Sequence, residues 1–174
     1  DMSNLKITNI NITTTIAPIT FASSSSVPGH YIDISTGIYL GRIDNSTIVN
    51  NTISGFEGGP GNSGGSCCSG DGGRSRVSPR DGGDVAGIYL YYSRDNTFDN
   101  NTIFALKAGT GGTPFSGSPH EGGIATGYYI GSVSEINHFN NSLIYNITGG
   151  DGGRGTKSGV GGQGGKGTGI YFEY

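Results

Sequence analysis

The sequence has little of what most globular chains contain. Its 174 residues include no tryptophan, one methionine and only 13% charged residues, with a formal net charge of −3. Because the few basic residues form no stripe, a nucleic-acid partner is not indicated. No apolar run approaches the roughly 18 residues of a membrane-spanning helix, so the sequence predicts no membrane span.

Apolar mass is also scarce, since hydrophobic residues make up 32% of the chain while glycine occupies 35 positions. This composition does not suit an ordinary helical or α/β core, which needs more leucine, alanine and valine. It does not favour disorder either, because disordered chains are poor in aromatic residues and this one has ten tyrosines and seven phenylalanines. A fold with a narrow core is expected.

Cysteine is limited to the adjacent pair Cys67 and Cys68. Neighbouring cysteines bond to each other only through a strained ring, so two free or vicinally paired thiols in a loop are one interpretation. A cross-link to another subunit in an oxidising compartment is the other, and both remain open. Two cysteines and three scattered histidines do not make a zinc site, so neither a metal nor a cofactor is predicted.

A repeat is the main feature of the sequence. Three copies of equal length, aligned without gaps, cover 37–53, 87–103 and 127–143, and a fourth begins at Gly169. Each copy holds short runs in which apolar and polar residues alternate, which is typical of strands with one buried face. Short copies without helical period predict a solenoid of strands in an all-β fold.

Stacking of such copies about 4.8 Å apart places equivalent apolar residues in columns that fill a narrow core. The predicted columns are Ile38, Ile88, Tyr128 and Ile170; Leu40, Leu90, Ile130 and Phe172; Ile48 and Phe98; and Ile53, Ile103 and Leu143. The segment 4–12 resembles the second half of a copy, with Ile10 at the place that asparagine holds in the others.

Paired asparagines recur in every copy. An asparagine side chain passes amide hydrogen bonds along a stack and tolerates the left-handed backbone of a tight corner. We therefore expect a buried ladder formed by Asn51, Asn101 and Asn141. The residue before each of them is expected to point outward.

Six asparagines stand in Asn-x-Ser/Thr acceptors for N-glycosylation. They are Asn11, Asn45, Asn50, Asn100, Asn140 and Asn146. Glycans on Asn50, Asn100 and Asn140 would crowd one another in a stack. The acceptors, the low charge and the high glycine content together predict an extracellular or cell-surface protein. Asp1 as the first residue is typical of a processed chain and equally of a fragment.

The run 37–40 followed by the run 45–53 resembles the repeat of right-handed parallel β-helix proteins. That broad family includes polysaccharide-acting enzymes, a periplasmic protein of copper-enzyme maturation and many cell-surface repeat proteins. The resemblance covers 37–56, 87–106, 127–145 and the start of a fourth coil. It implies one right-handed parallel β-helix domain of about four coils. It implies no catalytic residue, because no position matches an enzyme motif.

The whole chain, 1–174, is predicted to be this one domain. Residues 1–36 form a partial coil and a link; the coils are 37–56, 87–106, 127–145 and 169–174; and glycine-rich insertions span 57–86, 107–126 and 149–168. Gly-Gly-x triplets have the period of a polyproline-II-type helix, so the insertions either pack as a bundle or act as flexible linkers. Both interpretations remain open.

Two features are considered as functional sites. Tyr39, Tyr89, Tyr129 and Tyr171 form an outward column that either binds sugar faces, contacts another subunit or is covered by a glycine loop. Asp44, Asp95 and Glu135 fall at similar positions of successive coils, where acids bind Ca²⁺ or are simply solvated. Neither pattern amounts to a catalytic centre, so the chain is not predicted to be an enzyme.

The expected function is structural. A partial coil at each end predicts head-to-tail joining of copies of the chain into a filament or surface layer, because the open ends of a β-helix present unpaired strand edges. A carbohydrate-binding or adhesive surface module is the first alternative, with glycans as its partner. A polysaccharide lyase or hydrolase is the second.

Overall fold

The computed structural model describes residues 2–13, 19–22, 34–61, 81–113, 119–131, 134–155 and 160–173. Cys67 and Cys68 lie outside these residues. The described part forms fifteen strands and no helix. The strands are β1 Met2–Ser3, β2 Lys6–Thr8, β3 Asn11–Thr13, β4 Ile19–Ala22, β5 Ile34–Gly41, β6 Ile43–Asp44, β7 Thr47–Val49, β8 Thr52–Ser54, β9 Asp84–Tyr91, β10 Thr97–Asp99, β11 Thr102–Lys107, β12 Ala125–Ile130, β13 His138–Asn140, β14 Leu143–Thr148 and β15 Gly167–Phe172.

The strands pair in parallel throughout the described part, in four sheets. The sheet orders are β1-β6, β13-β10-β7-β2, β14-β11-β8-β3 and β15-β12-β9-β5-β4. From β5 onward, strands that follow each other in the chain lie in different sheets, so the chain passes from sheet to sheet and returns one level higher. β4 and β5, by contrast, are consecutive strands that pair with each other in one sheet. The prediction of an all-β fold with parallel strands is confirmed.

We call the strands at one level a layer. The first layer holds β1 to β4, the second β5 to β8, the third β9 to β11 and the fourth β12 to β14, and β15 opens a fifth. The strands of the sheet that contains β5 begin before the predicted coils do. β9 begins at Asp84 and β12 at Ala125, because Val85 and Ala125 are fully buried and extend the core.

The apolar columns form the core between the sheets. The first two predicted columns are confirmed, since Ile38, Ile88, Tyr128 and Ile170 pair in register, as do Leu40, Leu90, Ile130 and Phe172. Phe98 pairs with Ile48 and also with Phe139, which extends the third column. The fourth prediction was wrong in its last member, because Ile103 pairs with Ile144 and not with Leu143.

The misplaced member arises from one additional residue in the fourth layer. Ile130 pairs with Leu90, forty positions earlier, but Phe139 pairs with Phe98, forty-one positions earlier. The copies are therefore not of equal length, and every assignment beyond Ile130 in the third copy shifts by one. Leu143 consequently lies on the outer face, where 57% of it is exposed.

Residues with a left-handed backbone conformation lie at the corners between the sheets. Twelve non-glycine residues of the described part have positive φ, and they fall at equivalent places of successive layers. One corner has Asn4, Asn45, Asp95 and Ile136, and the next has Asn9, Asn50, Asn100 and Asn141, with φ between 45° and 59°. Asparagine and aspartate tolerate this backbone better than other side chains, which explains why they recur there.

Candidate functional site

Two of the three asparagines in the predicted ladder are hydrogen-bonded to each other inside the molecule. The Asn51 backbone N–H and Nδ2 both donate to Oδ1 of Asn101 at 3.0 Å, and Asn101 Nδ2 donates to the carbonyl of Ile48 at 2.9 Å. The Ile10 N–H donates to Asn51 Oδ1 at 3.1 Å, so Ile10 holds the equivalent place in the first layer. These amides satisfy corner backbone groups that are closed off from water.

Asn141 is not part of this ladder, contrary to prediction. The additional residue moves it to the left-handed corner position, where it is exposed and donates from Nδ2 to Oδ1 of Asp99 at 2.9 Å. Ser142 takes the ladder position, and the Tyr128 hydroxyl bridges the gap. That hydroxyl accepts from Asn101 Nδ2 at 3.3 Å and donates to Ser142 Oγ at 3.0 Å.

A second polar ladder, which the sequence analysis missed, lies at the preceding corner. Asn96 Oδ1 accepts from the Ser46 N–H at 2.9 Å, and Asn137 Oδ1 accepts from the Asn96 N–H and Nδ2 at 3.2 and 2.9 Å. Alignment without gaps placed Ile136 opposite Asn96 and concealed the pattern. One gap after Ile130 would have revealed both ladders together.

All six glycosylation acceptors are exposed. Asn50 and Asn100 stack directly, with Nδ2 of Asn100 donating to Oδ1 of Asn50 at 2.7 Å. Asn45 Nδ2 donates to Oδ1 of Asn4 at 2.9 Å. Asn140 was expected to continue the Asn50 stack, but it pairs with Asp99 and lies one position aside. Glycans attached to Asn50 and Asn100 would therefore crowd each other.

The tyrosine column is present, but three of its four rings are buried and the fourth, Tyr171, is partly buried. Tyr39, Tyr89, Tyr129 and Tyr171 pair in register, with ring centroids 5.4, 4.7 and 5.0 Å apart. The first three rings are only 7, 4 and 9% exposed and form a second cluster with Tyr91, separate from the main core. Rings buried to this degree have no free face for a sugar, so the main support for glycan binding through this column is lost.

Burial also sets the ionisation of these tyrosines. It raises the pKa of Tyr89 and Tyr129 far above the usual value near 10, and the carboxylate of Glu173 adds to the rise. The pKa of Tyr39 is raised as well, mainly by burial. Tyr39, Tyr89 and Tyr129 are therefore neutral over the physiological range.

The acidic residues considered as a site do not converge. Asp44 pairs with Arg94, whose Nε lies 3.6 Å from Asp44 Oδ2, and the Glu135 carbonyl accepts from the Asp95 N–H. Asp95 belongs to the corner position of Asn45, not to the position of Asp44 and Glu135. Within the described residues, no group of three acidic, histidine or cysteine side chains is placed to hold a metal ion.

The described parts of the three insertions lie side by side as six segments that we call the glycine bundle: 57–61, 81–84, 108–113, 119–124, 149–155 and 160–166. N–H groups three residues apart on one segment donate to the same neighbour. Gly58 and Gly61, for example, donate to the carbonyls of Lys107 and Thr110 at 2.8 and 2.7 Å. A donor at every third residue is the period of a polyproline-II-type helix.

A second set of hydrogen bonds joins outgoing segments to returning ones. The N–H groups of Gly83, Gly109, Gly123, Gly150 and Gly165 donate to the carbonyls of Gly59, Gly83, Gly109, Gly123 and Gly150, at 2.7 to 2.9 Å. Of the two interpretations of the insertions, their described parts adopt the packed bundle. The bundle is held by its backbone, as a sheet is.

Glycine is required inside the bundle but not at its margins. A Cβ at Gly109 would collide with the carbonyl oxygen of Gly59, and a Cβ at Gly150 would collide with that of Gly109. A Cβ at Gly59 would meet nothing within 4 Å, and one at Gly164 would meet only the Gly150 oxygen at 3.6 Å. Close approach of backbones, rather than turn geometry, therefore explains the glycine content.

The face of the fourth layer and β15 is where the apolar columns come to the surface. Ile170 is 39% and Phe172 52% exposed, whereas their partners in register, Tyr128 and Ile130, are 0 and 3% exposed. Phe139, Ile144 and Ile147 of the same face are only partly buried against the core. We call this surface, together with the outer edges of β13, β14 and β15, the open face.

Comparison with protein-family models, with curated proteins and with solved structures gave no match. Among the described residues, no helix has the length and apolar character needed to cross a membrane.

Proposed function

We propose that this chain is an extracellular structural protein that associates with copies of itself, head to tail, into a filament or surface layer. The observation that carries the proposal is the open face. Ile170 and Phe172 occupy core positions and yet are exposed, and a surface of this kind is stabilised when another layer covers it.

The fold supplies what such an association needs. β13, β14 and β15 each form the outer edge of a parallel sheet, and β2, β3 and β4 form the opposite edges of the same three sheets. A second copy in the same orientation presents parallel strands to the edges of β13 and β14 at once. Main-chain hydrogen bonds then add to the apolar contact.

The proposal includes the finer architecture. The layers wind as a right-handed parallel β-helix of about four coils, since crossovers between parallel strands are right-handed in nearly all proteins. Buried amide ladders at the corners and the backbone-bonded glycine bundle favour a stiff rod over a flexible one, because each fixes one layer on the next. Glycans on exposed acceptors, most simply Asn11, Asn140 and Asn146, suit an extracellular rod.

The test is sedimentation velocity and negative-stain electron microscopy of the full chain and two variants. Phe172→Asp places a charge in the open face and is expected to leave monomers, with the monomer fold unchanged because the ring is half exposed. Ile136→Asn is the matched control. It also removes an exposed apolar side chain, at 63% exposure, but lies at an outer corner whose left-handed backbone suits asparagine.

The chain and Ile136→Asn are expected to form rods, and Phe172→Asp is not. Equal assembly of all three would exclude the open face as the contact. Monomers of the unmodified chain at every concentration would refute self-association.

A further inference from the structure

The three main sheets do not contain the same number of strands. Among the described residues, the sheets of β7 and β8 have four strands each, whereas the sheet of β5 has five. The additional strand is β4, which pairs with the outer edge of β5. The count matters because head-to-tail assembly has to advance every sheet by the same distance.

Neighbouring strands are about 4.8 Å apart in any sheet. A second copy placed on the open face therefore advances the sheets of β7 and β8 by four spacings, but the sheet of β5 by five. The difference of about one strand spacing cannot be absorbed while all three edges remain paired. Without β4, each sheet contributes four strands and the three advances agree.

The register shows what fits the place of β4. β4 sets Ile19, Thr20 and Phe21 opposite Ile38, Tyr39 and Leu40. The register through β9 and β12 relates the same three residues of β5 to Ile170, Tyr171 and Phe172 of β15. At two of these three register positions β4 and β15 carry matching apolar residues. At the third, β4 has Thr20 where β15 has Tyr171, so β15 of a second copy would continue the tyrosine column and β4 does not.

We propose that β4 is a displaceable cap. In the free chain it occupies the edge of β5, and in the assembly β15 of a second copy takes that edge, pairing Tyr171 with Tyr39 of its neighbour. This inference rests on the proposed self-association and adds to it the partner strand, the register and a step that holds free chains apart.

A reversible lock tests the displacement. In a full-length chain carrying Cys67→Ser and Cys68→Ser, the substitutions Thr20→Cys and Tyr39→Cys place two thiols on paired Cα positions, within reach of a disulfide across parallel strands. The oxidised chain is expected to stay monomeric, and reduction is expected to restore rods. Reduced and oxidised samples of one protein have the same sequence, so the reduced sample is the control for both substitutions.

Each outcome separates the two proposals. Rods from the reduced chain and none from the oxidised chain support the cap. Rods of equal amount from both would overturn the cap and leave self-association standing. No rods from the reduced chain, together with none from the chain carrying only the two serine substitutions, would overturn both.

Mixing two single-cysteine chains in the same serine background tests the register itself. Chains with Tyr171→Cys and chains with Tyr39→Cys are expected to give a disulfide-linked dimer on mild oxidation. Tyr145→Cys replaces Tyr171→Cys as the control, because Tyr145 lies in another sheet. Equal yields from both mixtures would exclude the pairing of β15 with β5.

Discussion

Asparagine has two distinct roles in this chain, and adjacent residues divide them. Asn50 and Asn100 hold left-handed corners at the surface, while Asn51 and Asn101 are buried and bond one layer to the next. The first role needs tolerance of positive φ, and the second needs an amide with both donor and acceptor. Because the two roles alternate along the chain, a shift of one residue exchanges them, as happens at Asn141 and Ser142.

Substitution at the buried ladder should therefore cost far more than substitution at the corner. Asn101→Ala removes the acceptor of the Asn51 backbone N–H, one of the two acceptors of Asn51 Nδ2 and the side-chain donor to the Ile48 carbonyl. We expect a loss of about 3 kcal/mol in the free energy of unfolding. Asn141→Gly, which suits the left-handed backbone, should change it by less than about 0.5 kcal/mol. Urea denaturation measures both, and similar values for the two variants would contradict the assignment of Asn141 to the corner.

Glycine at the centre of the bundle should be irreplaceable, unlike glycine at the margin. Gly109→Ala forces a Cβ against the Gly59 carbonyl, and we expect a loss of about 1–3 kcal/mol. Gly164→Ala makes only an ordinary contact, with the Gly150 oxygen at 3.6 Å, and should be neutral, or stabilising by up to about 1 kcal/mol through the unfolded chain. Thermal unfolding of both variants checks this expectation. Equal melting temperatures would mean that the insertions do not pack as described.

At the scale of strands, the tyrosine column couples stability to alkaline pH. Burial raises the pKa of Tyr89 and Tyr129 in the folded state, so these two rings stay protonated while tyrosines of the unfolded chain ionise near pH 10. Below pH 10 both states are protonated and stability is unaffected. Above it the unfolded state loses protons first, so the free energy of unfolding falls as the pH rises.

Urea denaturation at intervals from about pH 9 to pH 11 should show this decline, and Tyr89→Phe should make it shallower. A free energy that stays level over this range would show that the rings ionise freely in the folded protein, contrary to their burial.

Strand type, parallel pairing and the first two columns were predictable from the sequence because alternation and repeat spacing are local patterns. The register of the fourth layer was not, since one additional residue between Ile130 and His138 leaves the Asn-Asn pattern apparently intact. The burial of the tyrosines was not decided either, because a pattern gives the side of a strand but not what covers it. Packing of the insertions followed from their Gly-Gly-x period only as one of two possibilities.

At the scale of the whole molecule, the two layers at the extremes differ. Ile7 of the first layer is 2% exposed, while Ile170 and Phe172 at the open face are exposed core residues. β4 closes the first layer in the sheet of β5, and nothing among the described residues closes the open face in the same way. If copies associate as proposed, a cap at one end and an exposed edge at the other would limit association until the cap moves.

The most direct test of self-association is helical reconstruction by cryo-electron microscopy of the full-length chain at neutral pH. With β4 displaced, each copy adds four strand spacings to each of the three main sheets, so we expect uniform rods with an axial rise of about 19 Å per copy. A rise of about 24 Å would mean that β4 stays in place and that the other sheets are interrupted at each junction. Monodisperse single chains at all concentrations would contradict the proposed function itself.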